Sequence, residues 1–379
     1  MLPCCDGFTT TFDSFPEMLR FHEQEVKQSL WKRVPVKDLH IEPLDMGSAL
    51  YGSPNSFSAN VSEDAVYDTA KNLGLALRVH GELYPIRSTA YKSLLDRAKI
   101  SGSALAKLER RDLARVLNSC LALHSSEALL LVRDEKISAA HSGDERDYSV
   151  LPMDELLETL KRKMDDRFPG NCFQDGYADH AFSSACWTFP DQKEELLGTY
   201  MKVLTAQGKA HMASKLIPGI RFLSSDTGVA SAKVSAMLMG TEYPIHIGSC
   251  LAVDHRLQKT VCDFENSLDQ LFAQFRDSVA SLQKLTEIEL EYPVNAMTRI
   301  CKRLSLPKKE ALEAIAMFEM AFAGAPATAH DVFLALQEIP YLLKTHHVSE
   351  AKMLAVQENM ARVLALNWND YDLAKAVNY

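Results

Sequence analysis

The chain has 379 residues, 47% hydrophobic and 24% charged, the proportions of a soluble globular protein long enough for more than one core. No run approaches the roughly 18 uninterrupted apolar residues of a membrane span, and the opening MLPCCDGFTTTFDSF has neither the basic nor the apolar region of a secretory signal. A formal net charge of −9 argues against a protein coated in nucleic acid, because phosphate contacts require Lys and Arg.

Residues 1–60 read as a variable N-terminal segment. One amphipathic helix is expected in SFPEMLRFHEQEVKQSL from Pro16, followed by the Gly/Ser/Asn/Pro-rich loop DMGSALYGSPNSFSAN. Residues 61–262 read as an α+β body. Ser62 is the expected N-cap of the helix in SEDAVYDTAKNLGL. Residues 88–117 read as two helices joined at Ile100–Ser103, a helical hairpin with the look of a helix-turn-helix. ALLLVRDEKISAAHSGDERDYSVLP reads as two short strands around Asp134-Glu135, an exposed polar turn and a third short strand ending at Pro152.

A helix follows in MDELLETLKRKMDD, then a hairpin in CFQDGYADHAFSSACWTF with its turn near Asp175-Gly176, then a helix running to Gly208. His211 to His255 is β-rich, so a mixed or antiparallel sheet is expected. From residue 263 to 379 the period is helical throughout. Leu268, Leu271, Phe272, Phe275, Val279, Leu282 and Leu285 form a long apolar stripe, and Pro293, Pro307 and Pro326 punctuate the helices after it. The expected fold class is α+β: a helical hairpin module and β-sheet body followed by an all-helical C-terminal region.

Charge is unevenly spread. Residues 76–116 carry Arg78, Arg87, Lys92, Arg97, Lys99, Lys107, Arg110, Arg111 and Arg115 against only Glu82, Asp96, Glu109 and Asp112. Residues 197–225 carry Lys202, Lys209, Lys215 and Arg221 and no acid. A local positive surface is expected on this acidic protein, with solvated helix faces as the plain alternative.

Catalytic signatures are absent: the chain has no GxSxG, HExxH or GxxxxGK[ST]. The eight cysteines are scattered without a CxxC and read as reduced thiols of a cytoplasmic protein. His246, Cys250, His255 and Cys262 are all zinc-capable, but their spacing matches no compact module. No enzyme activity, metal or cofactor is expected. In GIRFLSSDTGVASAKVSAML, Arg221 and Lys233 flank a polar break whose amides could cradle a phosphate. The competing reading is a tight hairpin turn made by Asp226 and Gly228.

These segments resemble, in order, the phage- and plasmid-associated proteins grouped as a family of unknown function, family nine-three-two. The resemblance runs through AYKSLLDRAKISGSALAKL, EALLLVRDEKISAAHSGDERDYSVLPMDELLETL, IRFLSSDTGVASAKVSAML, IHIGSCLAVDHRL and ATAHDVFLALQEIPYLL, over roughly residues 75–370. The polar turn AHSGDERDY is looser than the family pattern, and the Cys-Asn-Gly step common after the second strand pair is missing.

The resemblance implies a mobile-element protein of a bacterial cytoplasm and supplies no activity. Two functions fit. One is a non-enzymatic single-stranded-DNA-binding protein, such as a strand-annealing recombination protein, using Arg78, Arg87, Lys92, Arg97, Arg110, Arg111, Arg221 and Lys233 on a sheet groove, with Tyr84, Tyr91, Tyr148 and Trp187 available for stacking. The other is a protein–protein interaction module, such as an anti-defence factor with a host or phage partner. A homo-oligomer is compatible with both.

Overall fold

The computed structural model describes residues 2–241, 243–322, 324–346, 348 and 350–379. The first sixty positions hold strands as well as the expected helix: β1 (Thr9–Phe12), α1 (Phe15–Gln28), β2 (Leu30–Pro35) and β3 (His40–Pro43). Pro16 opens α1, where its fixed φ suits the first turn and its missing N–H is not needed. Next come α2 (Glu63–Lys71), β4 (Leu75–Val79), β5 (Glu82–Pro85), α3 (Ala90–Ala98) and α4 (Arg110–Leu121). The Ser62 hydroxyl caps α2 by accepting the Ala65 N–H at 3.3 Å.

Residues 99–109 separate α3 from α4, a connection longer than the three or four residues of a DNA-reading helix-turn-helix. The apolar face of α4 is taken up by packing through Leu113, Leu117 and Leu121. Its Asn118 bonds both backbone groups of Ile41 (2.7 and 2.8 Å), closing the open edge of β3.

β6 (Glu127–Arg133) and β7 (Lys136–Ser142) form the expected hairpin around Asp134 and Glu135, both at positive φ (46° and 68°) as the strand twist demands of a two-residue turn. The third strand expected before Pro152 is instead loop. After α5 (Met153–Arg167) come β8 (Cys172–Asp179) and β9 (Ser183–Thr188). Their turn lies at residues 180–182; Asp175 and Gly176 sit inside β8, next to a register shift. α6 (Lys193–Ala206) and α7 (Ala210–Lys215) extend helix past His211, so the β-rich stretch starts at β10 (Ile217–Ser224) and continues with β11 (Ala232–Met239) and β12 (Ile245–Val253).

The C-terminal region is helical as expected apart from two paired two-residue strands: α8 (Val261–Lys284), β13 (Glu289–Leu290), α9 (Pro293–Arg303), α10 (Lys308–Phe322), β14 (Ala327–Thr328), α11 (Ala329–Leu336), α12 (Glu338–Thr345) and α13 (Glu350–Arg362). A capping box of Thr260 and Asp263 starts α8.

The fold is α+β. A six-stranded antiparallel sheet runs β1-β8-β9-β10-β11-β12. Two three-stranded sheets, β2-β6-β7 and β3-β4-β5, meet through a parallel bridge between Ile86 and Ile137. The large sheet packs Val234, Ala236, Ile245 and Ile247 against α8, α5 and α6 in one core. A second core joins the small sheets to α3 and α4 through Ile41, Leu77, Leu94, Leu117, Leu130 and Ile137. Side chains alternate across a strand, so Lys233 and Ser235 face away from the first core and lie beneath α13. Among the described residues no helix is long and apolar enough to cross a membrane.

The expected stripe of α8 is core: Leu268, Leu271, Phe272, Phe275, Val279 and Leu282 are all buried. Phe275→Ala should cost about 3–5 kcal/mol of unfolding free energy in a denaturant titration, since the site is closed on all sides. A midpoint equal to that of the parent would show that this stripe does not hold the two layers together.

Candidate functional site

A cleft of about 630 Å³ lies between α3, the loop at 227–231, the loop at 143–149 and the end of β12. One wall follows from helical spacing. Thr89, Lys92, Ser93, Asp96 and Arg97 recur at steps of three and four and face the cleft, while Ala90, Leu94 and Ala98 are buried on the other side. Lys99, just past the helix end, completes this wall. Opposite stand Ser231, Lys233, Asp254 and Arg256.

Three rings form the floor. His141 stacks on Tyr148 with centroids 3.5 Å apart, and Tyr148 stacks on His255 at 5.5 Å. The carbonyl of Asp226 accepts from both His141 Nε2–H (2.8 Å) and the Tyr148 hydroxyl (2.8 Å). The Ser149 carbonyl accepts from His255 Nδ1–H at 3.2 Å. A carbonyl only accepts, so each bond fixes a tautomer. Burial pushes His141 down to about 4 and His255 below its ordinary value, and it pushes the Tyr148 phenol up. All three rings are therefore neutral near pH 7. Gly228 lies against His141 at a φ of 76°, and a Cβ there would come within 3.0 Å of the ring.

Behind the floor is a buried ionic layer. The Asp226 carboxylate accepts from Arg133 Nη2 at 2.7 Å, and Glu25 lies 3.4 Å from Arg133 Nη1. Further in, Arg87 and Lys136, both 0% exposed, meet Asp6, Asp68 and Asp134 at 2.6–3.9 Å. Arg87 also donates to the carbonyls of Pro3 and Cys5. Burial raises the Glu25 carboxyl to about 7, helped by Asp134 and Asp226 and opposed by Arg133 and Arg87.

Of the eight expected cations, the structure gathers Lys92, Arg97 and Lys233 at the cleft. Arg87 is in the buried layer, which corrects its assignment to a binding surface. Arg78 pairs with Glu42 at 2.7 Å. Arg110 lays its stem on Gly74, and Arg111 is exposed on α4 away from the cleft lining. Arg221 lies beneath α13, beside Lys233 and Cys250, so the sheet face expected to form an open groove is covered. Lys233 itself pairs with Glu358 of α13 at 2.8 Å.

The SSDTG break is neither an exposed cradle nor a bare turn. Ser224 and Ser225 are fully buried, and the Ser225 hydroxyl takes the N–H groups of Thr227 and Val229, so those amides are not free for a phosphate. Trp187, Tyr84 and Tyr148 are buried, which removes them as open stacking platforms. The four metal candidates are not brought together. His246 and Cys250 lie under α13, His255 lies in the cleft floor, and Cys262 is exposed at the start of α8. Among the described residues no group of three or more His, Cys, Asp or Glu could hold a metal ion.

Arg256, Asp254 and the polar stripe of α3 as a single face were not expected from the sequence. The stripe had a signal, the spacing of Thr89, Lys92, Ser93, Asp96 and Arg97; Asp254 and Arg256 had none. No family model, curated protein or solved structure matches the chain.

A Glu25 carboxyl raised from 4.5 to about 7 means that the folded chain holds this proton more tightly than the unfolded one. Its contribution to stability is complete below the unfolded value and is lost as pH rises through the folded one. Glu25→Gln should therefore gain stability relative to the parent between about pH 5 and about pH 8 in denaturant titrations. An unchanged difference at the two pH values would show that Glu25 is ionised throughout.

Proposed function

We propose that the chain is a non-enzymatic protein that binds single-stranded DNA, holding its phosphate backbone in the cleft between α3 and the 227–231 loop. One observation carries this reading. Lys92, Arg97, Lys99 and Arg256 line a concave site and form no ion pair within 4.0 Å among the described residues, in a protein with acids to spare. Four such cations in one concavity, against the three carboxylates of Asp96, Asp147 and Asp254 that share it, leave a local positive balance that attracts phosphates. The neutral, stacked floor adds rigidity without competing charge. The cleft volume is that of a small-ligand pocket, so it holds a short stretch of strand at one point. A strand-annealing role in a mobile element rests on the setting implied by the resemblance to family nine-three-two, and the cleft adds nothing to it.

A second reading, a protein–protein interaction module, draws on the outer face of α10. Leu312, Met317 and Met320 are exposed there, Met320 at 81%, in a protein of net charge −9.

Salt separates the two. A labelled mixed-sequence oligonucleotide should bind in an anisotropy titration with affinity falling steeply as salt rises. Lys92→Ala with Arg256→Ala should lower the slope by about 0.7 for each phosphate that is no longer neutralised. Melting temperature should be nearly unchanged, because both side chains are exposed. No binding at low salt would remove the DNA reading and leave the α10 face as the surface to test.

A further inference from the structure

The cleft holds more than cations. Asp96, Asp147 and Asp254 line the same cavity, and three carboxylates are a poor lining for a phosphate alone. Two of them are oriented: Asp147 accepts from Ser142 Oγ at 3.0 Å and Asp254 from Ser231 Oγ at 2.5 Å. Each bond uses a fraction of the carboxylate's acceptor capacity and leaves the rest for a ligand.

His255 adds an independent sign. It is 6% exposed, it lines the cleft, and its Nε2 has no hydrogen-bond partner among the described residues. With Nδ1–H committed to the Ser149 carbonyl, Nε2 is a bare acceptor. An unpaired buried acceptor is unfavourable unless a ligand donates to it. Beside the cations, then, the site presents four groups that ask for N–H or O–H donors.

We propose that the cleft recognises a phosphate-bearing nucleotide whose base carries an exocyclic amino group, with two acceptors from the set Asp147, Asp254 and His255 Nε2 taking the two amino hydrogens while Lys92 and Arg256 hold the phosphate. The inference rests on the single-stranded-DNA reading and names its base preference. Cytosine, adenine and guanine offer amino donors at the Watson–Crick edge. Thymine has no amino group: its edge offers the single N3–H between two carbonyl oxygens, and those oxygens face the carboxylates with lone pair against lone pair. Unstacked bases of a single strand expose this edge.

The test compares oligo-dC, oligo-dA and oligo-dT of equal length against the full chain at one low salt concentration. Oligo-dC and oligo-dA should bind at least about fivefold more tightly than oligo-dT, the low end of discrimination by a well-made base contact. In Asp147→Asn with Asp254→Asn, whose amides can also donate to thymine carbonyls, the preference should fall to within about twofold. Intrinsic differences between the strands persist in the variant, so only loss of the preference assigns it to these carboxylates. A second arm competes each complex with dCMP and dTMP. Competition by dCMP and not by dTMP supports the proposal with a free nucleotide as a source. Discrimination among oligonucleotides without competition by either nucleotide supports it with the strand as the source. Equal, salt-sensitive binding of oligo-dT and oligo-dC overturns the base preference and leaves the DNA reading standing. A preference that survives in the double Asn variant also overturns it. Failure of every oligonucleotide to bind removes both.

Discussion

The two cores of this protein meet across charge. Arg87 and Lys136 are fully buried at the junction, and Arg133 is nearly so. Such groups are expensive to desolvate, and they persist only where carboxylates and carbonyls surround them. Asp6, Asp68 and Asp134 supply the counter-charge, and the carbonyls of Pro3 and Cys5 complete the fork of Arg87. The arrangement explains why the N-terminal residues are fixed in place: without Asp6 and the two carbonyls, Arg87 and Lys136 would lose part of their counter-charge and hydrogen bonding. An apolar junction of similar volume would give comparable or greater stability. What the ionic junction adds is fixed partners: Lys136 meets both Asp6 and Asp68, and Arg87 both Asp6 and Asp134.

Asp226 connects this junction to the cleft. Its carboxylate belongs to Arg133 and its backbone carbonyl belongs to His141 and Tyr148. One residue thus ties the β10–β11 loop to the ionic layer and to the ring stack. The loop is polar because it must satisfy these buried partners, and Gly228 is needed because any side chain would press on His141. Its last residues, from Thr227 to Ser231, are the part that reaches the cleft.

The helical C-terminal region, the β6–β7 hairpin and the α8 core were legible because each carries a long, single period or a strong turn signal. β1, β2 and β3 were not. They are four to six residues long and gain their pairing from β8, β6 and β4, so nothing local announces them. For the site, basic composition located α3 and Lys233 and failed on Arg87 and Arg221. Charge counting treats every Arg as exposed; whether a guanidinium sits in solvent or among buried acids depends on contacts such as those from Asp6, more than eighty positions away. His141 and His255, more than a hundred residues apart in the sequence, stack through Tyr148 only after the layers join, and no spacing rule encodes that.

Both walls of the cleft hang on β7, whose seven residues are all buried. Thr89 Oγ1 donates to the Ser138 carbonyl at 2.9 Å, and Ser93 Oγ accepts the Ala140 N–H at 2.9 Å, which fixes α3. His141, one residue on, fixes the opposite loop through Asp226, and Ser142 orients Asp147. The register shift opposite Leu131 and Val132 makes Ser138 an extra residue of β7, so Lys136, opposite Arg133, and His141, opposite Leu129, come to one face, which serves both the buried acids and the Asp226 loop, while Ile137 and Ala140 enter the second core. The spacing of the two backbone walls is therefore set by a single strand and by hydrogen bonds, while the exposed Lys92, Lys99 and Arg256 side chains keep their rotamer freedom. The ring floor, Asp147 and Asp254 are held by hydrogen bonds within the fold, so the entropy of arranging them is lost in folding, whereas that of the exposed lysines and Arg256 is lost only when something holds them.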